Sequence, residues 1–212
     1  MSAINLRVYF PFLNPDARIV PVRAAASWVI RNILGDSKFA SFLAISYKKT
    51  VRKFYDYVAN KVTWERQTRA ALWSTSLDAI IAPVQASPAV PHGGCNNLAP
   101  LACATILYNV VESPVGVIPV TRVDAARDGL SDEWRTAPGN GSKLLESALY
   151  GPDGAYDVQA MDGLPVGVQI IGEAWEEEKL LGIMHVVDAA LGPRGFGPGA
   201  WAPNKQKGVA KN

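Results

Sequence analysis

The 212-residue sequence has only two cysteines, two histidines and three methionines. Cys95 and Cys103 stand in different local contexts, without the paired spacings of a zinc site or the several cysteines of a disulfide scaffold. That usage fits a reducing compartment, and a cytoplasmic location is the expectation. Nowhere do about 20 apolar residues run uninterrupted, the length a membrane-spanning helix needs, so no transmembrane segment is expected. The first twenty residues, MSAINLRVYFPFLNPDARIV, have no apolar core after a basic start and no small-residue cleavage pattern, and do not read as a signal peptide. An excess of one charge is missing too. With 21 Lys and Arg against 19 Asp and Glu, the net charge is +2. Nucleic-acid binders concentrate far more basic charge on one face, so no nucleic-acid partner is expected.

What is present is a chain able to bury a core. Hydrophobic residues make up 49% and charged residues 19%, the balance of a single globular domain. From Ala24 to Ser76 the pattern is helical, with the clearest face running through Tyr47, Val51, Phe54, Val58 and Val62 at spacings of three and four. Lys48, Lys49, Arg52 and Lys53 lie opposite and read as a solvated face. Trp28, Phe39, Phe42, Tyr55, Trp64 and Trp73 read mostly as core or inter-helix packing.

After Ser76 the texture changes to strand, loop, helix, strand. LDAIIAPV (77–84) is a short apolar run ended by proline, and QASPAVPHGGCNN (85–97) is dense in loop formers. A helix is predicted from Ala99 to Val111. It leads into PVGVIPVT (114–121), where two prolines and a glycine interrupt an apolar run that a central strand would rarely tolerate. A polar connection (122–141) precedes a short helix at Ser142–Leu149. LPVGVQIIG (164–172) is the most strand-like run, continuous in apolar character as buried parallel strands are, and its valines are expected to be buried. Glu176–Leu191 reads as an amphipathic helix with acidic residues in its first turn, where the macrodipole favours them. From Gly192 onward Gly, Pro and Lys dominate, and 192–212 reads as a disordered tail.

Three stretches carry a family resemblance: LDAIIAPV, LYNVVESPVGVIPVTRVD (107–124) and YDVQAMDGLPVGVQIIGEAWEEEKLLGIMHVVDAAL (156–191). In order and spacing they resemble the C-terminal half of amidase signature enzymes of the acetamidase and fatty acid amide hydrolase branch. The resemblance implies an α/β class: a partial amidase-signature fold, a mixed sheet flanked by helices, with an N-terminal helical layer. Residues 1–191 would then be the C-terminal portion of an amidase domain, divided into the helical layer (24–76) and the α/β part (77–191). It further implies hydrolysis of a carboxylic amide to acid and amine or ammonia, without metal or organic cofactor. The proline-broken strand would run toward the substrate cleft, with Pro114 and Pro119 bending the chain at its ends. Ala99 and Ala102 would lie near the acyl-binding channel, leaving room for a bulky acyl group.

The family's chemistry uses a lysine, a serine in a cis peptide and a nucleophilic serine, the serines lying in a segment that begins GGSSGG. A serine hydroxyl attacks only when a base takes its proton, and closely spaced glycines let backbone N–H groups reach the oxyanion. No such segment occurs in the sequence, whose one GG pair is Gly93-Gly94 between His92 and Cys95. The expectation is a part of an amidase without its own catalytic residues, completed by a missing N-terminal half or a second copy. The alternative is a non-catalytic interaction protein that reuses the half-fold.

Other residue patterns suggest chemistry of their own. Ser46-Tyr47-Lys48-Lys49 fits S-x-x-K, which on a helix sets serine and lysine one turn apart, although no companion motif follows. Ser142-Lys143 are adjacent and seldom face one substrate. His92 with Cys95 would form a dyad lacking an orienting third group. His185 reads as a packed or partly exposed helix residue, and Asp78, Asp124 and Asp157 as solvated turn residues at strand ends.

Overall fold

The computed structural model describes residues 20–94, 98–132 and 141–196. Among them, six α-helices accompany one three-stranded sheet. Helices α1 (Val20–Asn32), α2 (Ser37–Ile45) and α3 (Val51–Leu72) come first, followed by strand β1 (Ile80–Pro83). A 3₁₀ turn (Ala99–Ala102) leads into α4 (Cys103–Val110), then β2 (Val115–Arg122) and α5 (Lys143–Tyr150). Strand β3 (Pro165–Ile171) and α6 (Glu177–Leu191) complete the order.

Two cores hold these elements. In the first, Ile30, Phe39, Ala40 and Leu43 of α1 and α2 enclose Leu144 from α5. The helical layer therefore recruits α5 from beyond residue 76, and one side chain explains the recruitment. Asp36, only 3% exposed, accepts from Phe39 N at 2.8 Å through Oδ1, capping α2. Its Oδ2 accepts from Ser142 Oγ at 2.6 Å and Leu144 N at 3.1 Å at the start of α5. One carboxylate thus satisfies the amide ends of two helices remote in sequence.

The second core joins the sheet to α6. Ile118 and Ile170 meet Leu180, with Ile183, Met184 and Val187 packed alongside. The sheet order is β1-β3-β2, and β3 pairs antiparallel with both neighbours. The expected mixed sheet, with LPVGVQIIG as a parallel strand, is corrected: every pairing among the described residues is antiparallel. Coverage explains the apolar run instead of strand direction. The Ile170 face lies under α6, while Gln169 on the opposite face reaches the α4 backbone. Two-sided coverage favours continuous apolar character in either orientation. Ile170 and Ile171 are buried, whereas Val166 and Val168, expected to be buried, are only partly so.

The interruptions in β2 now have causes. β2 is an edge strand, and Pro119 sits beside an irregularity in register between Pro119 and Thr121. A proline without an N–H is tolerated at an edge and at a bulge. It lies inside the strand, however, and only Pro114 precedes it. Gly116 passes directly beneath Met184, where a Cβ would collide with the sulfur.

The helix α3 departs from the expectation of core packing. It has no buried residue, and Val51, Phe54, Val58 and Val62 are all exposed. Tyr47 precedes the helix, whose N-cap is Thr50. Of the aromatics expected in the core, Phe39 is buried, while Trp28, Phe42, Tyr55 and Trp64 are exposed. No apolar element among the described residues covers that face. Polar clamps attach α3 instead: Arg69 Nε donates to Val111 O at 2.6 Å, and Lys61 Nζ bonds Glu112 at 2.7 Å. Residues 192–196 of the expected tail are held on β2. Arg194 Nε donates to Pro119 O at 3.2 Å, and Arg122 stacks on the Phe196 ring. Residues 197–212 lie outside the described residues.

Candidate active-site cleft

The sheet face opposite α6 opens at one end into an apolar cleft of about 430 Å³. Its floor is Val117, Pro119, Val166 and Gly167, and its wall is the loop 84–89 that leaves β1. Gly167 is needed for this floor, since a Cβ there would stand 2.9 Å from Ile118 O. Neighbouring elements hold the wall in place. Thr105 Oγ1 of α4 donates to Val84 O at 2.8 Å, and Tyr150 Oη of α5 donates to Ala86 O at 2.6 Å. Within the loop, Gln85 Nε2 and Ser87 Oγ both donate to Pro88 O, at 3.2 and 2.9 Å. Burial raises the Tyr150 phenol above its ordinary value, with Tyr156 and Glu146 adding to the shift, so it remains a neutral donor at physiological pH.

Beneath the wall lies Gln169, 0% exposed. Its Nε2 donates to Pro83 O at 2.7 Å and to Ala104 O at 3.2 Å, tying β1 and α4 to the central strand. Its Oε1 accepts no hydrogen bond among the described residues. Neither Gln169 nor Tyr150 stood out in the sequence. The signal for Gln169 was there nonetheless, as the lone amide within an apolar run.

No lining side chain of the cleft is charged. Its one hydroxyl, on Ser87, is buried and committed to Pro88 O. The cleft therefore provides an apolar, shaped wall and no activated nucleophile.

The sequence candidates are dispersed. Ser46 and Lys49 lie in the connection between α2 and α3, not on a helix, so the S-x-x-K geometry is lost. Ser46 Oγ donates to Phe42 O at 2.7 Å, while Lys49 Nζ donates to Ile45 O and Tyr47 O and sits over the Tyr47 ring. Ser142 is the N-cap of α5, bound to Asp36, and Lys143 is exposed. His92 is exposed, and Cys95 lies outside the described residues. His185 is an exposed residue of α6, and Cys103 a free thiol. Asp78 pairs with Lys179 at 3.0 Å. Asp124 and Asp157 cap their own turns by accepting from Ala126 N and from Gln159 N and Ala160 N. Ala99 and Ala102 stand on the 3₁₀ turn before α4 and are not among the residues lining the cleft. Among the described residues no group of three or more His, Cys, Asp or Glu could hold a metal. No described helix is long and apolar enough to cross a membrane.

An antiparallel sheet with α6 on one face, α4 on the other and an apolar cleft at its end defines a fold seen before. It superposes on a solved fatty acid amide hydrolase with a TM-score of 0.59 at 17% identity, covering 91% of this chain and 33% of that one. The family model for amidases matches residues 22–181, and the chain belongs to the amidase family. Among individual relatives, an acetamidase of Aspergillus oryzae is 34% identical over 137 residues, which are 65% of this chain and 22% of that protein. Fatty-acid amide hydrolase 1 of Sus scrofa is 25% identical over 174 residues, 81% of this chain and 28% of that enzyme. The chain thus spans less than a third of the length of these two relatives.

Proposed function

We propose that this chain supplies the C-terminal part of an amidase-type hydrolase, which converts a carboxylic amide and water into the acid and an amine or ammonia. The observation that carries the reading is the apolar cleft, built at the ends of the three strands that lie within the amidase match. Its role would be to seat the apolar part of the amide and exclude water around the scissile carbonyl. By the family resemblance, the small side chains of Ala99 and Ala102 at the entry to α4, outside the lining of this cleft, would leave room for a bulky acyl group. The lysine and two serines would come from a segment outside these 212 residues, in a cytoplasmic enzyme. Polar groups of the cleft are already bonded to one another, which suits a wall and not a proton relay.

The second reading, a non-catalytic interaction protein, draws on the exposed apolar residues of α3. One experiment separates them. The purified chain is assayed for amide hydrolysis alone and co-expressed with the N-terminal part of an acetamidase. The amidase reading expects no turnover alone and turnover with the partner, abolished by substituting the partner's nucleophilic serine and unaffected by Ser46→Ala. A chain that ignores that partner, remaining soluble and inactive, favours the interaction protein. Fluorophosphonate labelling of Ser46 in the isolated chain would overturn both.

A further inference from the structure

The two edges of the sheet are not alike. At β2, Pro119 has no N–H to offer, the register is irregular between Pro119 and Thr121, and residues 192–196 are bound along the strand. Arg194 Nε donates to Pro119 O at 3.2 Å, and Arg122 Nη2 donates to Gly195 O at 3.2 Å while its guanidinium stacks on the Phe196 ring. A further strand could add there only by displacing that strap. The β1 edge is bare among the described residues. β1 pairs with β3 in unbroken register from Ile80 to Pro83, and no described strand pairs on its other side.

The side chains at β1 agree with its backbone. Ile81 stands opposite Ile170, so both lie on the sheet face that carries α6, yet Ile170 is buried and Ile81 is 58% exposed. Lys179 of α6 pairs with Asp78 just before β1, which marks the helix flank turned toward that strand. About two turns further along the same flank, Val186 is 66% exposed. The apolar surface therefore continues beyond β1, at the level where one more strand would lie.

We propose that the outer edge of β1 is where the remainder of the amidase joins this chain, by adding a strand that pairs with Ile80–Ala82 and covers Ile81 and Val186. The proposal rests on the amidase reading and goes further, assigning the joint to one edge of the sheet and closing the other. An added strand gains affinity from main-chain hydrogen bonds and specificity from the alternate side chains it meets, here one isoleucine on the α6 face. A second copy fits less well. β1 has four residues and ends on Pro83, too short a strand to hold two copies by pairing with itself. The remainder of an enzyme of which this chain spans less than a third can bury far more surface around the same edge.

The test is hydrogen exchange at the β1 and β2 amides of the full 212-residue chain, alone and co-expressed with the N-terminal part of the Aspergillus oryzae acetamidase. In the complex, exchange within Ile80–Ala82 is expected to slow by about tenfold or more, while the amides of Val115–Ile118 stay as they were. Ile81→Lys places a charge on the edge and should weaken the complex by about tenfold or more, and Val186→Lys, off the strand, should weaken it too. Phe196→Ala, on the strap, should leave the affinity unchanged. Thermal unfolding of the isolated variants checks that the fold survives. A complex with β1 amides unprotected, protection gained at β2 instead, or affinity indifferent to both lysine variants overturns the proposal. Amide hydrolysis by a complex whose β1 amides stay unprotected would do so while leaving the amidase reading intact, whereas no complex at all removes both. Concentration-dependent protection of β1 in the chain alone, with a dimer on size-exclusion chromatography, would give the edge to a second copy and overturn the proposal as well.

Discussion

Gln169→Glu is the sharpest probe of how the sheet is held together. The substitution keeps the shape of the side chain and replaces its N–H donors with a carboxylate oxygen. That oxygen would face Pro83 O and Ala104 O, which now accept at 2.7 and 3.2 Å. At neutral pH two hydrogen bonds worth roughly 1 kcal/mol each are lost, and a charge is buried against two acceptors, for a total of about 4 kcal/mol or more. In a domain of this size each kcal/mol moves the melting temperature by roughly 2–4 °C, so a fall of roughly 8–16 °C is expected. Gln169→Leu is the control. It forfeits the same two bonds but also removes the unpartnered Oε1, and should cost about 1–2 kcal/mol at every pH. The glutamate variant is different because its neutral carboxyl can donate to one of the carbonyls. Burial and the two acceptors raise its folded pKa above the unfolded value of about 4.3. The native state then holds the extra proton, so the stability present below the unfolded value is lost as pH rises through the folded one. Thermal unfolding followed by circular dichroism from about pH 4 to pH 8 reads this directly. Equal melting temperatures for the two variants at the alkaline end would refute the bonding assigned to Gln169.

Asp36→Ala should cost about 3–5 kcal/mol in urea denaturation, because it uncaps α2 and strands the Ser142 hydroxyl and Leu144 N–H together; a loss under 1 kcal/mol would disprove the shared cap. The clamp on α3 should be pH-sensitive. The hydrogen bond from Lys61, then its charge and that of Arg69, hold Glu112 below its ordinary range, so the clamp is intact at neutral pH and loosens as pH falls through that depressed value. Lys61 is raised by Glu112 and Glu65, so its share persists until the pH passes above its ordinary range. Protection of the α3 amides, measured against intrinsic exchange at the same pH, should fall at acid pH in the native chain and at neutral pH in Glu112→Gln; unchanged protection in both would count against the clamp. Gly116→Ala should destabilise by about 1–3 kcal/mol through collision with Met184, and Met184→Ala in the same chain should return part of that loss.

Element positions were largely legible because local chemistry decides them. The strand runs 77–84 and 164–172 contain β1 and β3, the run 114–121 holds all of β2 but Arg122, and the acidic turn at Glu177 and Glu178 opens α6. Strand direction was not legible. An apolar run records how much of a strand is covered, and here only the end of β3 from Gln169 to Ile171 is fully buried, with α6 over the Ile170 face and α4 bonded to Gln169 on the other. The helical layer was drawn too narrowly for a related reason: Asp36 meets Ser142 across 106 positions, and no local pattern signals such a bond. In α3 the periodicity was read correctly as helix and incorrectly as burial. Spacing of three and four says which residues share a side, while burial depends on whether another element lies over that side.

The candidate sites fared differently, and Ser46 with Lys49 shows why. S-x-x-K brings hydroxyl and amine together only if the four residues continue one helix, since the useful proximity comes from the helical turn. Here α2 stops at Ile45, and Ser46 turns its hydroxyl back to Phe42 O as the helix ends. Thr50 then starts α3 by accepting from Lys53 N. A serine at one helix end and a threonine at the next helix start are the residues whose side chains compete with the backbone ladder. The motif therefore contains the signal that breaks it. Gln169 is the opposite case, a residue in no motif whose lone amide in an apolar strand could survive burial only by bonding to neighbouring elements. Within this chain, that lone amide marks where β1 and α4 are tied to the central strand beside the cleft, which no spacing of catalytic residue types does.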